Sequence, residues 1–284
     1  MSAAKVEVKR YSPALGAVVT GVDLAKPLDA EAWDAIHSAF LKHLVLFFPD
    51  QHLTREQQCA FASRFGTLNV HPYVAGMADK PEVLEVLKNP KDEANFGGAW
   101  HADLTFLEAP PLGSTLYALE VPEVGGDTLW SNLYLAYERL SDGMKEMLRP
   151  LTGMHSAVML YGSNTVGGTG FGNKMSMQVD HRDEAAAEVG HPVIRTHPET
   201  GRPILAISPD YMRRFKNMTE QESRPLLKFL KELATREELT CRFRWAKDTL
   251  ALWDNRCTLH YALNDYPGER RRMMRVAING DRPR

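Results

Sequence analysis

Cysteine is scarce in this chain: three in 284 residues, at positions 59, 241 and 257, with no Cys-x-x-Cys pair among them. That spacing argues against a disulfide framework or a cysteine-held structural zinc, and a reducing compartment fits it best. Long apolar runs are missing too. The longest, Leu44-Val45-Leu46-Phe47-Phe48, falls far short of the ~20 residues a membrane-spanning helix needs. Residues 1–10 are polar and lack an apolar h-region, so no secretory leader is expected and the expected location is cytoplasmic. A charge surplus is absent as well: 34 basic side chains face 36 acidic ones, for a net charge of −2. Nothing in that balance draws the chain toward nucleic acid. There is no internal repeat, low-complexity tract or evident interdomain linker, so one domain over residues 1–284 is expected. The apolar content of 44% leaves enough material for one sizeable core.

What is present falls into three stretches. Near the start, Ala14 to Val22 reads as a glycine-punctuated strand or hairpin. Asp29 offers an N-cap to a helix whose apolar stripe is Trp33, Ile36, Phe40 and Leu41, and Leu44 to Phe48 reads as a short buried strand. Thr54 and Gln57 form a capping box for a second helix, with Phe61, Ala62 and Phe65 on its inner face. In the middle, Glu82–Leu87, Trp100–Phe106, Leu116–Val121 and Gly125–Trp130 read as strands. Short strands cut by Gly and Pro turns suggest a β-barrel or jelly roll rather than βαβ units. A helix is expected from about Asn132 to Leu148, with Leu133, Tyr137, Leu140, Met144 and Met147 inward. Toward the end, strands at 191–196 and 202–207 precede a helix opened by Thr219-x-x-Glu222, with core stripe Leu226, Leu227, Leu230 and Leu233. Strands return at 240–245, 249–253 and 273–278.

The chemistry concentrates in two segments. In Trp100-His101-Ala102-Asp103-Leu104-Thr105-Phe106, a strand would send His101 and Asp103 to one face, where both could reach one metal ion. His260, just past an apolar strand, is the natural third ligand. Two histidines and a carboxylate leave three positions of an octahedral ion open, the arrangement used by iron(II) oxygenases. A His-x-Asp triplet is common, and His155, His181, His191 and His197 are equally available by composition. The second segment, Arg270-Arg271-Arg272-Met273-Met274-Arg275, shifts the balance. On a strand Arg271, Met273 and Arg275 share a face, while Arg272 and Met274 take the other. Arginine gives a planar fork suited to carboxylate or sulfonate. One inward arginine could bind a dicarboxylate cosubstrate and the other a substrate anion.

These segments resemble the taurine dioxygenase and aryloxyalkanoate dioxygenase superfamily of iron(II)/2-oxoglutarate enzymes. The matching stretches are WHADLTF at 100–106, GGDTLW at 125–130, HPVIRTHPETGRP at 191–203 and WDNRCTLHYALNDYPGERRRMMR at 253–275. GAVVTGVDLAKPL and LVLFFPDQHLT are similar to the family's opening, so the resemblance spans almost the whole chain. It implies an α+β fold with a mainly β core, a double-stranded β-helix (jelly roll) flanked by helices. It also implies His101, Asp103 and His260 as iron ligands, and Arg271 with Thr128 around 2-oxoglutarate. Arg275, His71 and Leu104 are implied beside the substrate. The implied reaction hydroxylates a small organic anion (a sulfonate, alkyl sulfate or aryloxyalkanoate) with iron(II), 2-oxoglutarate and O2, releasing succinate and CO2. No side-chain acid or base is required. Family members are usually dimers or tetramers, so a homo-oligomer is expected, without nucleic-acid or membrane partners.

Two positions depart from the taurine-type pattern. Gly97 stands where those members carry asparagine, and Val74 where they carry tyrosine, with Tyr73 next to it in the wrong phase. Losing those polar contacts favours a different or bulkier substrate. The glycine-rich stretch 162–172 corresponds to a mobile segment of the family, so a lid is expected around 160–180. Cys257, in a lone Cys-x-x-His, is read as an inert packed thiol. Two rival readings stay open: a zinc-dependent hydrolase on the same His-Asp-His site, and a non-catalytic anion-binding barrel. The first gives Arg271 and Thr128 no role, and the second never forms succinate.

Overall fold

The computed structural model describes residues 6–165 and 174–284. Residues 166–172 of the glycine-rich stretch, and with them much of the expected lid, lie outside the described residues. The fold is mixed α+β and dominated by sheet. Its largest sheet orders Glu7–Arg10, Ala17–Thr20, Val45–Phe48, Leu250–Asp254, Gly113–Glu120, Arg271–Ile278 and Leu68–Asn69, with Val83–Lys88 also paired to Arg271–Ile278. A three-stranded sheet runs Thr240–Phe243, Thr128–Asn132, Thr258–Ala262, and another Met212–Phe215, Thr152–His155, Val189–Pro192.

The period-2 alternation of strands decides where the cores form. Val45, Phe47, Ala118, Ala251, Trp253 and Met273 face the smaller sheets, where Phe47 stacks on Phe243 at 3.8 Å between centroids and meets Trp130 edge-on. Leu46, Phe48, Tyr117, Leu250, Leu252, Met274 and Val276 face the other way, onto helices Ala30–His43 and Arg55–Ala62 through Ile36, Ala39, Phe40, Phe61 and Ala62. Asp29 caps the first helix and the Thr54–Gln57 box caps the second, as their sequences require. The Thr219–Glu222 box likewise opens Glu220–Ala234.

Two expectations need correction. Trp100–Phe106 is not a strand: only His101 forms a β-bridge, and the chain then turns. Leu104 sits at φ 50°, a left-handed conformation that no strand accommodates. The helix expected over 132–148 is two helices, Leu133–Glu138 and Asp142–Leu148. Ser141 restarts the chain as an N-cap, its hydroxyl accepting from Met144 N. Met147, expected inward, is 45% exposed.

Candidate active site

An isolated β-bridge brings the 100–106 segment to His260 through the backbone. His101 and His260 form a hydrogen-bonded pair, His101 N donating to His260 O at 3.0 Å and His260 N to His101 O at 2.8 Å. Their rings stand 4.1 Å apart between centroids. Asp103 is brought in by the turn, which Asn255 clamps: its Oδ1 accepts from Asp103 N at 2.7 Å while its Nδ2 donates to Asp103 O and Pro111 O. Ser208 Oγ accepts from Ala102 N between the two. Asp103 Oδ1 then lies 3.7 Å from His101 Nε2 and 3.6 Å from His260 Nε2. Metal bonds of about 2.1 Å meeting at about 90–120° put donor atoms about 3.0–3.6 Å apart, so the three need close in by only a few tenths of an ångström on these two edges to hold one ion.

The oxygens of Asp103 divide their work. Oδ1 faces the imidazoles, while Oδ2 takes Arg275 Nη2 at 2.8 Å and the Ser114 hydroxyl at 3.1 Å. Burial would raise this carboxyl's pKa, but Arg275 and the two histidines hold it well below the usual range. His101 Nδ1–H donates to Ala99 O at 2.8 Å, which turns the Nε2 lone pair toward Asp103 Oδ1.

Arg271 and Arg275 share the inner face of Arg271–Ile278, as their phase requires. Arg271 is buried at 4% exposure, and its Nε and Nη2 have no protein partner. Gly126, at φ 69°, makes room for it: a Cβ there would come within 3.3 Å of Arg271 Cδ. Such an orphaned guanidinium needs an anion. Thr128 pairs with Ala262, two residues along the ladder from the Trp130–His260 pair, and its hydroxyl accepts from Trp245 Nε1 at 2.9 Å. Arg272 points the other way and pairs with Glu85.

A cavity of about 410 Å³ opens over the cluster, lined by His71, Phe96, Leu104, Tyr161, Tyr211 and Arg275 among others. His71 Nδ1 accepts from the backbone N of Tyr73 and Val74, so its proton is on Nε2, which is buried and has no partner. Burial first, and Arg275 second, push its pKa down to about 3, leaving a neutral, unpaired donor on a residue that lines the cavity. Tyr73 stacks on Tyr161 at 4.9 Å and leans on Phe106, behind the residues that line the cavity. Gly97 adopts φ 77°, and a Cβ there would approach His101 Cε1 to 3.3 Å. Sequence reasoning missed Asn255 and Ser114, which hold Asp103. Asn255 stands inside the quoted 253–275 segment, but between Asp254 and Arg256 nothing local marks it out from its charged neighbours.

Comparison with known proteins gives the family. The family described as "Taurine catabolism dioxygenase TauD, TfdA family" matches residues 7–277. The chain belongs to this family. An alkylsulfatase of Acinetobacter baylyi is 33% identical over 98% of the chain and 86% of that protein. An (S)-phenoxypropionate/alpha-ketoglutarate dioxygenase of Sphingobium herbicidovorans is 34% identical over 94% of the chain and 92% of its own. The crystal structure of a taurine dioxygenase from Burkholderia xenovorans superposes with a TM-score of 0.81 at 34% identity, covering 98% of this chain and 91% of that one. As a member of the TauD/TfdA family, the protein is an iron(II)- and 2-oxoglutarate-dependent dioxygenase. The donor set fits that centre: two imidazoles and one carboxylate oxygen converge, and a buried guanidinium in the same sheet architecture awaits an anion.

Proposed function

We propose that His101, Asp103 and His260 hold the iron(II), that Arg271 and Thr128 hold the far carboxylate of 2-oxoglutarate, and that His71, Leu104 and Arg275 shape the substrate side. The observation that carries this reading is the division of Asp103, one oxygen shared between two imidazole Nε2 atoms and the other neutralised by Arg275. When bound, the iron(II)–2-oxoglutarate centre supplies an oxidant for a C–H bond at the expense of O2, leaving succinate and CO2. The chain's own groups do the rest. Arg275 keeps Asp103 ionised and oriented. His71 Nε2–H donates to the substrate's anionic head. Leu104, Phe96 and Tyr161 give the remainder of the substrate an apolar, water-poor wall.

The substrate is a small organic anion of the alkyl sulfate, sulfonate or aryloxyalkanoate type rather than taurine. Gly97 and Val74 offer no polar side chain to an amine, and Tyr73 is engaged in the aromatic stack. The sheets form a double-stranded β-helix flanked by helices, in one domain over 1–284. The enzyme works in the cytoplasm as a homo-oligomer. A screen of succinate release over sulfonates, alkyl sulfates, aryloxyalkanoates and amino acids tests the reading. Taurine should trail the best alkyl sulfate or aryloxy acid by an order of magnitude or more in kcat/KM. Efficient sulfite release from taurine refutes the substrate assignment.

A further inference from the structure

Behind the turn that carries His101 and Asp103 lies a second, much smaller void of about 40 Å³, lined in part by Ala102, Thr105, His155, His191 and Arg195. The turn itself has little ladder to hold it, since only His101 is bridged. Thr105 is instead gripped from both sides. Its hydroxyl bonds His155 Nδ1 at 2.9 Å, and its carbonyl accepts from His191 Nε2–H at 2.9 Å. The same His191 Nε2–H reaches Leu107 O at 3.0 Å. The two histidines come from adjacent strands, Thr152–His155 and Val189–Pro192, with ring centroids 5.3 Å apart. Both are buried, and burial lowers the pKa of each, His155 to about 3, so both are neutral.

Three buried polar atoms of these residues lack a protein partner: His155 Nε2, His191 Nδ1 and Arg195 Nε. Their chemistry selects what completes them. His191 donates through Nε2, so its Nδ1 is a bare acceptor, whereas Arg195 Nε–H is a donor. An anion could not serve His191, and a cation would be opposed by Arg195. Water serves both, and the void exceeds the roughly 10–15 Å³ that one ordered water needs.

We propose that His155 and His191, bridged by buried water in this void, are positioning residues that fix Thr105 and so set Asp103, two residues earlier, for the metal. The inference rests on His101 and Asp103 being metal ligands. The test uses Thr105→Val, which exchanges one hydroxyl for a methyl, and His191→Phe, with Thr105→Ser and His191→Gln as conservative partners. Two readouts are taken without oxygen: iron(II) affinity, and the weak visible charge-transfer band given by iron(II) with 2-oxoglutarate.

Thr105→Val and His191→Phe should weaken iron binding by on the order of tenfold and displace the band, and Thr105→Ser and His191→Gln should restore both. If His191→Phe does not fold, Thr105→Val and Thr105→Ser decide the matter. A parent band with unmoved affinity and band in Thr105→Val overturns this inference alone, as does a Thr105→Ser protein no better than Thr105→Val. No band in the parent protein overturns the ligand assignment and the inference with it.

Discussion

Among the described residues, two buried clusters put histidine, aspartate and a third potential ligand within 4.8 Å of one another: His101, Asp103, His260, and His197, Asp254, Cys257. By residue type and burial either could hold a metal. Their hydrogen bonds separate them. Asp254 is saturated: Oδ1 accepts from Arg256 N and Nε, and Oδ2 from Arg256 Nη2 at 2.7 Å and His197 Nε2 at 3.0 Å. His197 Nδ1 in turn accepts from the backbone of Glu199 and Thr200, so neither ring nitrogen is spare. The Cys257 thiol is held neutral, its pKa driven up by burial first and Asp254 second. In the first cluster only one carboxylate oxygen is committed, and two imidazole Nε2 atoms face the other. A metal site here is recognised by what its donors leave unmade.

The largest effect that would break this comparison comes from exchanging the roles of the clusters. His260→Ala should abolish succinate release and the charge-transfer band while the protein still folds. Asp254→Ala should leave the band and iron stoichiometry intact but cost about 3–5 kcal/mol of folding stability, because it leaves the buried Arg256 with Glu199 alone and takes the carboxylate from His197. Urea unfolding and anaerobic titration of both variants decide it. A band that survives in His260→Ala, or one lost in a folded Asp254→Ala, would mean the clusters have been read the wrong way round.

The same logic extends to the arginines. Arg256 has partners for Nε, Nη1 and Nη2, whereas Arg271, equally buried, has none for Nε and Nη2. Charge-assisted hydrogen bonds contribute about 1.5–3 kcal/mol. Arg271→Ala should therefore raise the KM for 2-oxoglutarate by roughly 10–100-fold. Arg272→Ala, which loses a partly exposed pair with Glu85, should leave that KM alone and shift stability by less than about 1 kcal/mol. Equal effects on KM would show that the strand face is assigned wrongly.

The arginine face was legible in the sequence because a strand alternates strictly, and Arg271–Ile278 is a regular strand with a single shift in its pairing near Arg272. The helix caps at Asp29, Thr54 and Thr219 were legible for a similar reason, since each satisfies local backbone donors. His101 and Asp103 were paired for the wrong physical reason. They converge through a turn with Leu104 at φ 50°, held by Asn255 and Ser208 from over a hundred residues away. Local periodicity carries no information about such bonds. The break at Ser141 was visible as a second N-cap, but the apolar spacing across it imitated one continuous helix. Strands such as Thr152–His155 and Met212–Phe215 carry Gly or Arg where alternation expects apolar residues, and only their pairing defines them.

A last effect concerns acid, and it distinguishes the surroundings of the two clusters. Asp103 and Asp254 both have pKa values held below the ordinary carboxylate range, so their stabilisation is complete above about pH 4 and is lost only below it. His71 and His155 behave oppositely in the window above. Their folded pKa values are pushed down to about 3 by burial, from an ordinary 6.5, so the unfolded chain takes up protons first. Stability is full above about pH 6.5 and falls as pH drops toward 3, by about 2 kcal/mol for each histidine at pH 5. Both lie on the open side: His71 over the cavity with Asp103, His155 on Thr105. Urea unfolding of the metal-free protein between pH 7.5 and 5 should show this loss, and His71→Gln should make it shallower. A stability that stays flat over that range, or a slope undiminished in His71→Gln, would mean that the histidines beside the open cluster are already solvated, and that the cavity is not the dry, preformed site its unpaired donors describe.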